Sequence, residues 1–181
     1  ADRGARPSRS FARDRHGAEI MSQLVKICGI RSPELAASTA QAGADLIGFV
    51  FAESKRRVEP AMARASIEAA RQANPAIRTC ALFVDASADE IERIHAQVGF
   101  DLAQLHGPAA LEVAAQLSMP AIISVRVAPD DDRTERAEFA ERVAASGAEF
   151  VMVDGYHPGM AGGTGVRADW DFAAMLANRV P

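Results

Sequence analysis

Residues 25–51, VKICGIRSPELAASTAQAGADLIGFVF, decide the fold. The stretch opens on a short β-branched run, Val25–Ile30, and closes on a second, Leu46–Phe51. Between them Ser32 and Pro33 form a helix start, and Gly43 follows the helix end. Strand, capped helix, glycine and strand in 27 residues make one parallel βαβ unit, because two parallel strands need a crossover that a helix supplies.

The same alternation continues outward. Further strand candidates are Arg78–Val84, Leu102–Gly107, Ala121–Val127 and Phe150–Asp154. Ser87 opens the helix after the third strand, Gly147 closes the one before the sixth, and a last helix candidate covers Ala168–Leu176. Six βα units at this spacing predict an α/β fold, either a (β/α)8 barrel or a doubly wound sheet, and the spacing alone does not choose between them.

Strand parity locates the chemistry. Successive side chains point to opposite faces, so Val25 and Ile27 oppose Lys26 and Cys28, and Ala103 and Leu105 oppose Gln104 and His106. Ile123, Val125 and Val127 oppose Ser124 and Arg126, while Val151 and Val153 oppose Asp154. One face of each strand is apolar and suits packing under helices. The other carries Cys28, His106, Arg126 and Asp154 near its C-terminal end, where α/β folds build their sites.

Bulk properties narrow the function classes. The chain has 181 residues, 49% hydrophobic and 24% charged, enough for one domain with a sizeable core. A net charge of −4 supplies no overall basic field for nucleic acid or anionic membrane, and no apolar run is long enough to span a bilayer. Two cysteines 52 positions apart make neither a disulfide framework nor a metal-spaced cluster, which fits a reduced, cytoplasmic setting. Residues 1–20 hold five arginines and no periodic pattern, and read as a disordered leader before a domain at 21–181.

Five segments in register carry a resemblance. VKICGI at 25–30, GADLIGFVF at 43–51 followed by SKRRV at 54–58, LFVD at 82–85, QLHG at 104–107, and VDG…GGTGVRADWDF across 153–172 resemble phosphoribosylanthranilate isomerases over residues 24–176. The resemblance implies a (β/α)8 barrel catalysing the Amadori rearrangement of N-(5-phosphoribosyl)anthranilate in tryptophan biosynthesis. It implies Cys28 as general base, Asp154 as general acid and Arg56 as the group holding the substrate carboxylate. It further implies a seventh and an eighth strand with phosphate-binding loops, whereas this sequence stops at Pro181, so the barrel is expected to be incomplete at its C-terminus.

The chemistry suits those residue types. Opening a ribosyl ring into a Schiff base needs a proton for the departing ring oxygen, and forming the enolamine needs removal of the C2′ proton. That is work for one acid and one base, without a metal or redox cofactor. Asp154 must keep its proton at neutral pH, which burial beneath substrate favours, although a strand-end Asp is otherwise most often a cap. Cys28 must lose its proton, which Lys26 on the same face favours, although a lone strand Cys is otherwise most often a small buried hydrophobe, as expected of Cys80.

Arg56 offers a planar fork to a carboxylate, although the run Lys55-Arg56-Arg57 on its own reads as a solvated turn. Gln104, His106 and Arg126 are candidate substrate contacts, with a satisfied structural His and a structural ion pair as equal rivals. Gly162 and Gly163 permit close backbone approach in a loop over the ligand. His157 departs from the family pattern and receives no role. A related phosphate-binding barrel, indole-glycerol-phosphate synthase, would need a Lys where Phe51 and His106 stand. The alternative outside enzymology is an incomplete, open-edged barrel that self-associates or binds a partner.

Overall fold

A computed structural model of the chain describes residues 12–13, 19–20, 23–128, 132–156 and 167–179. Six parallel strands form one sheet in sequence order: β1 (Lys26–Cys28), β2 (Leu46–Val50), β3 (Arg78–Val84), β4 (Leu102–His106), β5 (Ala121–Val125) and β6 (Phe150–Val153). A helix follows each strand: α1 (Pro33–Gln41), α2 (Pro60–Ala73), α3 (Ala88–Val98), α4 (Ala110–Ala114), α5 (Arg133–Ala145) and α6 (Trp170–Ala177). Near the start, Ala12–Arg13 pairs antiparallel with Glu19–Ile20. Strands that neighbour in space as they do in sequence have the winding of a barrel, since a doubly wound sheet reverses its order at a switch point.

The helix ends follow local chemistry. Ser32 Oγ accepts from the Leu35 N–H at 3.3 Å, with Pro33 in the first turn, and Ser87 Oγ accepts from the Glu90 N–H at 3.3 Å. Asp169 caps α6 by accepting from the Phe172 N–H at 2.9 Å, and also pairs with Arg136 of α5 at 2.8 Å. That helix starts two residues later than the sequence pattern predicts, because Ala168 offers no capping oxygen and Asp169 does. Gly43, at φ +92°, makes the turn out of α1 that an L side chain resists.

Strand parity separates two apolar layers. On the helix side, Ile47, Phe49, Phe83, Leu105, Ile123 and Val125 pack with Ile67, Ile91, Val98, Val143, Phe172 and Leu176. On the concave side, Leu46, Cys80, Leu102 and Ile122 pack with Phe150 and Met152. Across this inner side Arg78 of β3 reaches Glu149, the residue before β6, in a two-pronged ion pair whose Nη2–Oε2 arm is 2.9 Å. Strands β4 and β5 lie between, so the pair ties together two strands that a flat sheet would hold roughly 14 Å apart. It closes the N-terminal end of the concave face, opposite the rim where strand ends converge.

The first strand departs from expectation. Parity places Val25 and Ile27 on the helix-facing side, yet they are 50% and 43% exposed. Among the described residues β1 pairs only with β2, and an edge strand has apolar surface covered from one side alone.

Candidate active site

Register fixes what stands beside what. Cys28 is opposite Gly48, Gly48 opposite Cys80, and Cys80 opposite Leu102, forming one inner row. Higher up, His106 follows the pairing of Leu105 with Ile123, and Val125 pairs with Val153. Arg126 and Asp154 therefore leave adjacent strand ends on the concave side. The Asp154 N–H donates to the Val125 carbonyl at 3.0 Å, and its Oδ1 accepts from the Gly155 N–H at 2.9 Å. Asp154 is half-buried at the rim, as is Cys28.

Between these edges lies a buried polar cluster. His106 Nε2 is 2.8 Å from Gln104 Nε2 and 3.0 Å from Ser124 Oγ, and Gln104 Nε2 also donates to Ser124 Oγ at 3.3 Å. An amide nitrogen only donates, so His106 Nε2 is the acceptor and its ring proton sits on Nδ1. Among the described residues Nδ1 and Gln104 Oε1 are both buried without a partner, leaving one donor and one acceptor for a ligand or water. Burial, then the charge of Arg126, push the imidazole down to about 4; Asp154 opposes this and Lys26 adds to it. His106 is thus a neutral hydrogen-bonding group near neutral pH, with Lys26, Arg126 and Asp154 as its ionisable neighbours.

Arg56 is singled out from its cationic neighbours by position. The Arg56 N–H donates to Ser54 Oγ at 3.1 Å, Arg31 holds the Lys55 carbonyl at 3.3 Å, and Val58 donates to the Val50 carbonyl at 3.0 Å. This stitched loop lays the Arg56 side chain over Gly29, directly after Cys28. A Cβ on Gly29 would stand 2.7 Å from Arg56 Cδ. Gly162 and Gly163, like His157, lie outside the described residues. A cavity of about 310 Å³ opens beside the rim, lined by Gly107, Ser124, Arg126 and Tyr156 among others. Neither Cys28 nor Asp154 lines it, so the cavity lies to one side of those two residues.

Two features escaped the sequence reading. Asp85, the last residue of LFVD, adopts φ +51°, its N–H donates to the His106 carbonyl at 3.1 Å, and its carboxylate occupies the space a side chain on Gly107 would need. LFVD and QLHG end on paired strands, which was the available signal. Cys80 is fully buried, as expected, but it shares a row with Cys28, and only register reveals that.

Known proteins match this arrangement. The family of N-(5′-phosphoribosyl)anthranilate (PRA) isomerases matches residues 25–179. The chain belongs to the phosphoribosylanthranilate isomerase family. It is 43% identical over 146 residues to the N-(5′-phosphoribosyl)anthranilate isomerase of Pseudomonas putida, covering 80% of this chain and 67% of that one. It is 37% identical over 161 residues to the isomerase of that name from Roseiflexus sp., covering 87% and 74%. Among solved structures, the phosphoribosyl anthranilate isomerases of Thermus thermophilus (TM-score 0.68, 28% identity) and Thermotoga maritima (TM-score 0.66, 27% identity) each cover 87% of the chain. The chain spans 72% and 73% of those two structures. Family membership makes the six βα units part of a barrel of the (β/α)8 class. No helix among the described residues is long and apolar enough to cross a membrane.

Proposed function

We propose that this chain carries the acid–base apparatus of phosphoribosylanthranilate isomerisation, acting on a sugar phosphate joined to an anthranilate amine. Asp154 gives its proton to the ring oxygen as the C1′–O bond breaks, and the amine lone pair forms the C1′=N bond. Cys28, as thiolate, removes the C2′ proton, and the electron pair moves to produce the enolamine, which tautomerises to the ketone. Arg56, lying over Gly29 beside the base, holds the anthranilate carboxylate. His106 offers Nδ1–H, and with Gln104 Oε1 it contacts sugar hydroxyls, while Arg126 supplies positive charge beside the acid. Gly162 and Gly163 would serve the loop over the ligand. The cytoplasm is the proposed setting of this step in tryptophan synthesis.

The observation that carries the reading is the family match over residues 25–179 with Cys28 and Asp154 both at the rim of the concave face. Loss of substrate fluorescence, measured with the parent chain and with Cys28→Ser and Asp154→Asn, tests it. A second reading, association of two copies through the first strand, is favoured by the exposure of Leu24, Val25 and Ile27. Light scattering in the assayed sample separates the two, since a folded dimer without turnover supports association alone.

A further inference from the structure

The inner row Cys28–Gly48–Cys80 has a gap at its centre. Neighbouring strands lie about 4.8 Å apart, so the two cysteine backbones stand roughly 10 Å apart, beyond the roughly 7 Å that a disulfide spans. Gly48, between them, contributes no side chain. A Cβ there would meet Cys28 Sγ at 2.9 Å and Lys26 Nζ at 3.1 Å. Thiol and ammonium therefore occupy the volume of one missing side chain, inside the roughly 4–6 Å range in which an opposite charge favours the ionised form. A glycine within a strand commonly marks such a close approach.

Lys26 makes no ion pair among the described residues. The groups that face this region are Cys28 on its own strand, Cys80 and Arg78 on β3, and His106 on β4, with Arg126 and Asp154 acting on His106 from β5 and β6. Of the two thiols, burial pushes Cys80 up to about 11 although Lys26 pulls the other way. Cys80 stays protonated although Lys26 also hydrogen-bonds to it, so the ammonium stands between a buried neutral thiol and the half-buried Cys28.

We propose that Lys26 and Gly48 are positioning residues for the base: the gap over Gly48 seats the Lys26 ammonium against Cys28 and holds that sulfur as thiolate, with Cys80 as its neutral neighbour. This deepens the acid–base reading and rests on Cys28 being the base.

The test reads the thiol and needs no substrate. Iodoacetamide modification is followed against pH in the full chain by mass spectrometry of tryptic peptides, in which Cys28 and Cys80 fall on separate fragments. Lys26→Met should slow Cys28 alkylation at pH 7 by about tenfold and move its profile to alkaline pH, the size expected for one unit of differential interaction. Lys26→Arg should restore most of the rate, and Gly48→Ala should resemble Lys26→Met. Equal Cys28 profiles in the parent and in folded Lys26→Met would overturn the proposal, whatever the isomerase assay shows. If Gly48→Ala does not fold, the Met and Arg variants at Lys26 still decide. A normal thiol response with no isomerase activity would instead count against the catalytic reading alone.

Discussion

Arg56 lies across Gly29, its Cδ 2.7 Å from where a Cβ on that glycine would stand and its Nη1 3.3 Å from the same point. Gly29 also holds φ +92°, so it serves both the turn out of β1 and the seat of the guanidinium. Gly29→Ala should displace Arg56 and add roughly 1–2 kcal/mol of backbone strain. Substrate KM is expected to rise about tenfold, and Arg56→Lys, which keeps the charge but loses the fork, should raise KM more than it lowers kcat. Steady-state kinetics on both variants check this; unchanged KM in Arg56→Lys would remove Arg56 from substrate binding.

The Arg78–Glu149 pair bridges β3 and β6 with both side chains about one-third exposed. Solvent screening limits its worth, so Glu149→Gln should cost about 1 kcal/mol in urea unfolding. A loss near zero would mean that the curl of the sheet is held by apolar packing alone.

His106 makes stability depend on pH in a defined window. Its folded value, about 4, lies below the ordinary 6.5, so between those limits the unfolded chain binds more protons than the folded one. The stabilisation is complete above pH 6.5 and is lost as pH falls towards 4, by up to roughly 3 kcal/mol. Urea midpoints at pH 4.5 and 7 should differ less in His106→Gln than in the parent. Equal differences would contradict the burial of a neutral ring.

Asp169 caps α6 and pairs with Arg136, and its carboxyl is held below the usual range first by the Phe172 N–H. Asp169→Ala should cost about 1 kcal/mol, and Asp169→Asn, which keeps a capping oxygen, should cost less. Thermal unfolding of the two variants distinguishes the cap from the ion pair.

Much of this was legible in the chain. The Ser32-Pro33 start, Gly43, Ser87 and the alternation in each strand placed the units, and parity placed Cys28, His106, Arg126 and Asp154 on one face. What parity could not supply was register, which is set by pairing between strands distant in sequence. Cys80 reads as isolated core in the sequence because its link to Cys28 runs through Gly48 on a third strand. Arg56 could not be separated from Lys55 and Arg57 by residue type, since only the fold over Gly29 distinguishes them. The exposed face of β1 follows from its edge position, which no local pattern records.

Cys28 and Asp154 are the proposed base and acid of one isomerisation. The most direct measurement is turnover of N-(5′-phosphoribosyl)anthranilate, followed by loss of its fluorescence, in the parent chain and in Cys28→Ser and Asp154→Asn. Each substitution should lower kcat by roughly 10²–10⁴-fold while the far-ultraviolet circular dichroism is retained. Parental turnover in either folded variant, or a parent chain with no turnover at all, would contradict the account.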